Sequence, residues 1–256
     1  MKLPYKHKMT VAGHRGDSHN QYENTMEAFE AAILAGADMI ETDVRMTRDN
    51  ELVLIHDATG LRTACDARPI AEMTLEEVQM LNVGDCCNPR SVPTLEAFLS
   101  WASKQDELML NIELKEYYNP GNEERCRICT DMVVAMVKKY HLENRVVFNS
   151  FDAWPLQYID EKYGHSFMLH GFYPYSAMMH TDRNPDEFLY CACIWGDCKN
   201  QSHYQHLQSV GIEPWVGASF TSSAMLDLAY HYGATLVTTN APADTITKLK
   251  ELGIRK

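Results

Sequence analysis

The sequence lacks any apolar run long enough to cross a membrane. No uninterrupted stretch approaches the ~18 apolar residues that a transmembrane helix needs. The first ten residues contain Lys2, Lys6 and Lys8, but the apolar region of a secretory signal does not follow them. We therefore expect a cytoplasmic protein that forms no stable association with membranes.

An excess of basic residues is also missing. Lysine and arginine number 23 against 35 aspartates and glutamates, which gives a formal net charge of -12. A protein that binds nucleic acid or anionic lipid would present a basic face, so this charge argues against both partners. A small anionic substrate stays compatible, because one pocket can differ in charge from the whole surface. The sequence specifies no oligomeric state.

Cysteine is too sparse for a disulfide scaffold. The chain has eight cysteines in 256 residues, and a chain of this length buries roughly three-quarters of its unfolded surface without cross-links. Cys126 and Cys129 form a single Cys-x-x-Cys pair, while Cys191, Cys193 and Cys198 cluster loosely. A structural zinc site needs two well-spaced pairs, so we expect free thiols.

What the sequence does contain is a regular alternation of two patterns. Short β-branched apolar runs predict eight strands, at residues 11–14, 39–44, 108–115, 146–151, 167–172, 189–195, 214–219 and 235–239. Helical periodicity falls between them, at residues 24–34, 94–103, 125–140, 154–163, 202–210, 222–232 and 242–252. Such alternation implies parallel strands joined by right-handed crossovers. We expect an α/β fold, a (β/α)8 TIM barrel, with a doubly wound open sheet as the competing fold.

The first helix has the clearest boundaries. Asn24 is the expected N-cap and Gly36 the expected end, with Met26, Phe29 and Ile33 at helical spacing. The segment between the fifth and sixth strands carries the weakest helical pattern.

One apolar run breaks the alternation. Residues 51–57 follow the second strand after a turn at Asp49 and Asn50, too soon for a helical crossover, so they should return antiparallel as a hairpin. Residues 58–93 then form an insertion outside the barrel, with a short helix at 74–81. No repeat or linker divides the chain, and we expect residues 1–256 to form a single domain.

Charged side chains gather at the predicted carboxyl ends of the strands, where barrel active sites lie. Glu41 and Asp43 point to one side of the second strand, and Glu113 lies on the third. Placing carboxylates in one space costs several kcal/mol unless a cation neutralises them. Oxygen ligands suit one divalent cation, Mg²⁺ or Ca²⁺, rather than zinc.

Neighbouring strand ends supply cations and histidines. Arg15 and Lys115 would turn the remaining negative charge of a metal–carboxylate group into a single positive charge, which matches a phosphodiester anion. His14 and His56 form a candidate acid–base pair, because imidazole exchanges a proton near neutral pH. His170 and His180, near the exit of the fifth strand, are further candidates for substrate contact.

Ordered motifs run over nearly the whole chain and are densest in the first 115 residues. They include 12–16 (AGHRG), 23–25 (ENT), 40–44 (IETDV), 53–57 (VLIHD), 92–96 (VPTLE), 113–115 (ELK) and 149–151 (NSF). Together these motifs resemble the glycerophosphodiester phosphodiesterase family. The resemblance implies a metal-dependent hydrolase on a (β/α)8 barrel, which cleaves glycerophosphodiesters to glycerol 3-phosphate and an alcohol.

The resemblance also implies roles for individual positions. His14 and His56 would be the catalytic acid and base, and Arg15 and Lys115 would hold the phosphate. The metal ligands would be Glu41, Asp43 and Glu113. Glu23 would support Arg15 or a metal-bound water, while Phe151, Trp215 and Phe172 would line the apolar side of the pocket.

Three segments depart from the family pattern. Tyr22 replaces a usual proline, residues 215–218 read WVGA where the family tends to show WTVN, and residues 239–242 read TNAP in place of TD-x-P. The proposed catalytic and metal positions are kept, so these departures bear on the pocket for the alcohol or glycerol. One alternative is a related phospholipase-like enzyme that acts on lysolipids or other phosphodiesters, with formation of a cyclic phosphate. Another is a non-enzymatic phosphate-ligand-binding protein on the same barrel.

Overall fold

Eight parallel strands form a closed barrel in the computed structural model, which describes residues 2–219 and 221–256. The barrel strands are β1 (Thr10–His14), β2 (Met39–Met46), β6 (Met109–Leu114), β7 (Val146–Asn149), β8 (Met168–Tyr173), β9 (Cys191–Ile194), β10 (Glu213–Val216) and β11 (Leu236–Thr239). Strand β1 pairs in parallel with β11 on one side and with β2 on the other. This closure confirms the predicted (β/α)8 barrel and excludes the open sheet.

Helices surround the barrel and connect its strands. They are α1 (Met26–Leu34), α4 (Leu95–Ala102), α5 (Glu123–Lys139), α6 (Ala153–Tyr163), α7 (Gln201–Ser209), α8 (Ser223–His231) and α9 (Pro242–Glu251). Between β8 and β9 the described chain forms only two 3-10 turns, Tyr175–Ala177 and Pro185–Glu187. Pro174 directly precedes the first turn and Pro185 opens the second, which accounts for the weak helical pattern there.

The start of α1 differs from the prediction. Thr25, not Asn24, is the N-cap, and its hydroxyl accepts a hydrogen bond from the amide of Ala28. Asn24 lies one residue earlier in a left-handed conformation, with φ of 56°. Asparagine is common at caps and in the left-handed region alike, so its type alone could not separate the two placements.

The segment after β2 forms the predicted hairpin and insertion. Strand β3 (Leu52–Leu54) pairs antiparallel with β2, and the chain continues through β4 (Thr59–Gly60), α2 (Leu61–Ala64), β5 (Asp66–Pro69) and α3 (Leu75–Gln79). A capping box between Thr74 and Glu77 begins α3. Val53, Ile70 and Val78 belong to a separate small apolar cluster, so the insertion has its own packing.

One interior layer fills the barrel axis. Each strand contributes one apolar side chain to it, namely Ala12, Met39, Met109, Val147, Met168, Cys191, Trp215 and Leu236, and Leu3 packs against them. Each large side chain buried there stabilises the fold by about 1.5–3 kcal/mol. Since side chains alternate along a strand, the residue two positions further on also points inward. This second layer lies at the carboxyl ends of the strands.

The helices and the cysteines bear on membrane association and on disulfide bonding. Among the residues that the structure describes, no helix is both long and apolar enough to span a membrane. All eight cysteines are free, as expected, with Cys126 and Cys129 buried on α5.

Candidate active site

A cavity of about 540 Å³ opens at the carboxyl ends of the barrel strands. Its floor is the second inward layer, which consists of His14, Glu41, Asn111, Asn149, His170, Cys193, Gly217 and Thr238. Above this layer lie four more of the residues expected at the site, Arg15, His56, Glu113 and Lys115. The structure therefore brings the predicted cations, histidines and carboxylates to one place.

Three carboxylates meet on the β2 and β6 side of the cavity. Glu41 and Asp43 come from β2, and Glu113 lies beside Asp43 in the register of β6. One oxygen from each carboxylate lies within 4.8 Å of the other two, and all three residues are buried. Their charges must be balanced locally, because burial of an unpaired carboxylate costs several kcal/mol.

Two cations face this carboxylate group. Lys115 Nζ lies 2.5 Å from Glu113 Oε1 and 3.2 Å from Asp43 Oδ1. Arg15 Nε lies 3.3 Å from Asp43 Oδ2, and the Arg15 amide donates a 2.9 Å hydrogen bond to Glu41 Oε2. The two cations thus offset part of the negative charge of the carboxylate group.

This environment shifts the pKa values of the three carboxyl groups in different directions. Burial, followed by repulsion from Asp43 and Glu113, raises the pKa of Glu41 well above its usual value. Burial also raises the pKa of Glu113, although Lys115 opposes it. Burial alone would raise the pKa of Asp43, but Lys115 and Arg15 lower it below its usual value. Asp43 is therefore the carboxylate most firmly held ionised.

The acidic group fits a hard divalent cation. It offers carboxylate oxygens, which Mg²⁺ and Ca²⁺ prefer. Asp43 Oδ1 is buried and forms no hydrogen bond among the described residues, although Lys115 is close to it. Burial is the first cause of the raised pKa of Glu41, and repulsion from Asp43 and Glu113 adds to it, so a cation bound between the carboxylates would relieve that repulsion.

Asn24 supports this group and was not predicted to do so. Its amide Nδ2 donates a 2.8 Å hydrogen bond to Asp43 Oδ2, and its Oδ1 accepts one from Thr42 at 2.8 Å. The left-handed backbone of Asn24 turns the side chain toward β2 rather than toward α1. Asn24 thereby fixes the orientation of the Asp43 carboxylate.

Close packing shapes the loop that presents Arg15. Gly16 has φ of 86°, and a Cβ on it would lie 2.5 Å from the backbone carbon of Ala28. Only glycine fits both the left-handed backbone and this contact. The turn directly after β1 therefore packs against α1, with Arg15 directed toward the carboxylates.

His14 is held at the end of β1. Its Nδ1 lies 2.6 Å from Asn240 Oδ1, and its Nε2 lies 3.9 Å from Glu41 Oε2. An amide oxygen only accepts, so Nδ1 carries the proton and Nε2 is left basic. Burial, and then the neighbouring Arg15 guanidinium, lower the pKa of His14.

His56 reaches the same cavity from the segment that follows β3. Its Nδ1 lies 2.6 Å from Asp57 Oδ1, and Asp57 also accepts a hydrogen bond from Arg62 Nε. Burial lowers the pKa of His56, while the negative charges of Asp43 and Asp57 oppose that shift. Although burial opposes it, Arg62 and His56 lower the pKa of Asp57 to about 2, so this carboxylate is ionised at neutral pH.

Glu23 links the two loops that carry Arg15 and Arg62. Glu23 Oε1 accepts a 2.9 Å hydrogen bond from Arg15 Nη1, and Glu23 Oε2 accepts a 2.6 Å bond from Arg62 Nη1. Burial would raise the pKa of Glu23, but these two arginines lower it. Arg62 also bonds Asp57, so one chain of ion pairs runs from Arg15 to His56.

The opposite wall of the cavity is aromatic. Phe151 stacks on Phe172 with ring centroids 3.5 Å apart, and Trp195 meets Phe151 edge to face at 5.0 Å. Trp195 is half exposed at the cavity mouth, and the sequence had not pointed to it. Trp215 lies elsewhere than expected, since it is fully buried in the interior layer beneath His170.

The two other candidate histidines, His170 and His180, lie in different places. His170 lines the cavity floor, whereas His180 bonds Asp152 Oδ1 at 2.9 Å outside it. Asn149 and Thr238 complete the floor without having been assigned a role. Side chains alternate along a strand, so each floor position lies two residues after an apolar residue of the interior layer. That spacing would have identified His170, Asn149 and Thr238 as inward-facing from the sequence.

Comparisons with known proteins point to one family. A sequence model described as the glycerophosphoryl diester phosphodiesterase family matches residues 14–223. A glycerophosphodiester phosphodiesterase from Caldanaerobacter subterraneus subsp. tengcongensis is 36% identical over 156 residues, which is 59% of this chain and 61% of that protein. The matched stretch thus spans about three-fifths of this relative's length.

Solved structures share the fold over nearly the whole chain. A glycerophosphodiester phosphodiesterase from Parabacteroides distasonis superposes with a TM-score of 0.80 at 22% identity, covering 97% of this chain and 100% of that one. A phosphodiesterase from Oleispira antarctica, solved in complex with the product sn-glycerol 3-phosphate, gives a TM-score of 0.74 at 20% identity, covering 94% and 96%.

Proposed function

Because this chain belongs to the glycerophosphoryl diester phosphodiesterase family, we propose that it hydrolyses glycerophosphodiesters to glycerol 3-phosphate and an alcohol. The observation that carries the proposal is the convergence of three buried carboxylates, two cations and two histidines on one cavity. Such a set matches the needs of a phosphodiester, which requires charge neutralisation and two proton transfers. The product complex of the Oleispira antarctica protein supports the choice of glycerol 3-phosphate.

Glu41, Asp43 and Glu113 would hold one divalent cation, Mg²⁺ or Ca²⁺. When bound, this ion would stabilise negative charge on the phosphoryl oxygens. Arg15 and Lys115 lie beside the carboxylates and would bind the phosphate, Arg15 through its planar guanidinium and Lys115 as a point charge. The cations also orient the diester, so that its two ester oxygens face the histidines.

The surroundings of the two histidines favour different roles. His14 Nδ1 is bonded to a neutral amide and the ring lies beside Arg15, which favours a neutral base. His56 is bonded to the ionised Asp57, which partly offsets the lowering of its pKa by burial and makes His56 the better candidate for the proton donor. In the proposed reaction, His14 Nε2 takes a proton from the attacking water as the water oxygen bonds to phosphorus. The bond from phosphorus to the leaving oxygen breaks, and that oxygen takes a proton from His56 Nε2.

A substrate panel tests the proposed activity. Purified protein with Mg²⁺ or Ca²⁺ would be given glycerophosphocholine, glycerophosphoethanolamine and glycerophosphoglycerol, and released glycerol 3-phosphate would be measured in a coupled assay. We expect release from at least one diester and its loss on addition of EDTA. Absence of glycerol 3-phosphate with every diester and both metals would contradict the proposal.

The aromatic wall supports a second candidate. Phe151, Phe172 and half-exposed Trp195 form an apolar face that suits a lysolipid, whose hydrolysis or cyclisation would use the same histidines. Phosphorus NMR of the products from lysophosphatidylcholine distinguishes an open phosphate from a cyclic one. Faster turnover of the lysolipid than of any short diester would favour this alternative.

A further inference from the structure

Three buried polar side chains on the cavity floor have no role in the proposed metal binding, phosphate binding or proton transfer. Asn111, Asn149 and His170 lie on the adjacent strands β6, β7 and β8, and all three line the cavity. Asn149 and His170 are register partners on parallel strands, so their side chains project from the same face of the sheet. Their exposed fractions are only 1%, 3% and 3%.

Two atoms of this group lack partners. Asn149 Oδ1 and His170 Nε2 are buried, and neither forms a hydrogen bond within the described part of the chain. A buried polar atom without a partner costs about 1–3 kcal/mol, so such atoms in proteins usually bind water or ligand. Both residues border the cavity, which makes a ligand in the cavity a candidate partner.

The contact with Asn111 favours one tautomer of His170. His170 Nδ1 lies 3.2 Å from Asn111 Nδ2 and 3.4 Å from Asn111 Oδ1. In the shorter contact the amide nitrogen donates and Nδ1 accepts, which leaves the ring proton on Nε2. We assign His170 Nε2 as a donor on this basis, and Asn149 Oδ1 is an acceptor. Burial lowers the pKa of His170 to about 3, so the ring is neutral at physiological pH.

Packing fixes the imidazole in this orientation. The ring centroid of His170 lies 4.8 Å from that of the buried Trp215 and 5.3 Å from that of Phe172. With Asn111 at Nδ1 as a third contact, the ring is constrained on several sides before any ligand arrives. A preorganised group loses little conformational entropy on binding.

We propose that His170 and Asn149 form a hydroxyl-binding subsite, in which His170 Nε2 donates to, and Asn149 Oδ1 accepts from, a hydroxyl of the glycerol moiety. This inference rests on the proposed function, since it assigns the floor of the same cavity to the glycerol end of the diester. A hydroxyl is the small group that both donates and accepts. A phosphate would be repelled by Asn149 Oδ1, and an alkyl chain would leave both polar atoms unpaired.

The position of the pair agrees with this assignment. Asn149 is also the register partner of Glu113, a proposed metal ligand, so the subsite lies beside the phosphate region. The aromatic wall begins two residues further along the chain from each member of the pair, at Phe151 and Phe172. The glycerol would therefore lie on the polar floor, while the alcohol would extend toward Trp195 and the mouth.

Binding of two phosphate monoesters tests the subsite without turnover. Titration calorimetry in Mg²⁺ would compare sn-glycerol 3-phosphate with n-propyl phosphate, which lacks both hydroxyls. For the unaltered protein we expect at least about tenfold tighter binding of glycerol 3-phosphate, in line with a buried hydrogen-bonded hydroxyl. His170→Phe and Asn149→Leu keep similar shapes, and each should reduce this preference to about twofold or less while leaving propyl phosphate affinity similar.

Met168→Leu is the matched control, because Met168 is buried on the same strand one layer below. It should keep the full preference. Retention of the preference in both His170→Phe and Asn149→Leu would overturn the proposal and assign the pair to ordered water. Circular dichroism and thermal unfolding check the fold, and Asn149→Leu decides the matter if His170→Phe fails to fold. If glycerol 3-phosphate is preferred but no diester is hydrolysed, the subsite stands and the proposed activity fails.

Discussion

Each buried carboxylate of the site is tolerated because of a specific neighbour. Lys115 contacts Asp43 and Glu113, whereas among the described residues Glu41 has the Arg15 amide as its one hydrogen-bond donor. This difference explains why the pKa of Glu41 is raised and that of Asp43 is lowered although both are buried. At the scale of single residues, the three carboxyl groups are therefore unequal, and Asp43 is the one held most firmly ionised.

His14→Ala should abolish turnover and leave the fold intact. Loss of a positioned general base typically costs about 10²–10⁴-fold in rate. Steady-state kinetics would measure the loss, while calorimetric metal binding and thermal unfolding should stay close to those of the unaltered protein. His19→Ala, on the same loop but exposed, is the control and should retain activity. Normal turnover by His14→Ala would refute the proposed base.

Asn24→Ala should weaken metal binding without removing a ligand. Asn24 orients Asp43, and loss of such an outer partner costs about 10–100-fold in metal affinity. Titration of the metal-free protein with Mg²⁺ or Ca²⁺ measures the change. Asn50→Ala is a matched control, because Asn50 is also left-handed but exposed. Equal affinities in both variants would show that Asn24 only shapes the loop.

Residue type and strand parity predicted most of the site but not every placement. Glu41, Glu113 and His14 lie at the cavity as expected. Trp215 lies one layer too deep, because the interior layer and the floor are only two residues apart along each strand, and the floor position of β10 is Gly217. Asn24 was assigned to a helix cap, since the sequence does not reveal the sign of φ.

At the scale of elements, side-chain ion pairs connect the insertion after β3 to the barrel. Arg62 on α2 bonds Glu23 before α1 and Asp57 next to His56. Three separate elements therefore meet at one guanidinium. The position of His56 depends on this connection, because His56 lies beyond the end of β3 and not within a barrel strand.

Arg62→Leu should impair activity more than stability. Its ion pairs are partly exposed, so their loss should cost only about 0–1 kcal/mol of unfolding free energy. Looser placement of His56 and Arg15 should lower kcat/KM by about tenfold or more, since small displacements of reacting groups reduce rates steeply. Arg68→Leu, in the same insertion but paired with Asp66 and Glu77, should behave like the unaltered protein in both assays.

The order of the elements was predictable because each carries its own periodicity. All eight barrel strands and the antiparallel hairpin match the sequence-based positions to within a few residues. The connection from β8 to β9 was not predictable in detail. Its 3-10 turns depend on Pro174, Pro185 and contacts such as that between Tyr175 and Asp186, which are set by tertiary packing.

At the scale of the whole molecule, the net charge of -12 and the local charge of the cavity are different quantities. The acidic surface argues against polyanionic partners, but Arg15 and Lys115 make a small region that suits one anion. Proteins with a large net charge repel others of their kind, while a concave site is governed by the few charges within it. Binding of a small phosphodiester is thus compatible with an acidic protein.

A divalent cation should stabilise the entire fold. At a concentration about 100 times the Kd, a single bound ion contributes about 2.7 kcal/mol, which raises the Tm of a chain this size by several degrees. Scanning calorimetry with EDTA and with Mg²⁺ or Ca²⁺ measures the shift. Glu41→Gln should abolish the shift.

The same variant should raise the Tm of the metal-free protein. The folded-state pKa of Glu41 is raised, so its stabilising contribution exists at low pH and is lost as pH rises. Above the pKa that Glu41 has in the unfolded chain, this contribution becomes a cost to the folded metal-free protein, and glutamine removes that cost. Glu51→Gln, at an exposed position near the hairpin turn, should change neither Tm. A full metal shift in Glu41→Gln would contradict the assignment of Glu41 as a ligand.

The interior layer of the barrel has a consequence for the order of catalytic events. Its eight side chains, with Trp215 the largest, block the axis below the floor, so the described cavity communicates with solvent at the strand carboxyl ends. In the proposed reaction, the diester would enter and both products would leave through this one opening. If the alcohol lies nearer the opening, it leaves first, and glycerol 3-phosphate should then act as a competitive inhibitor while the alcohol inhibits noncompetitively. Product-inhibition kinetics would show whether the products leave in this order.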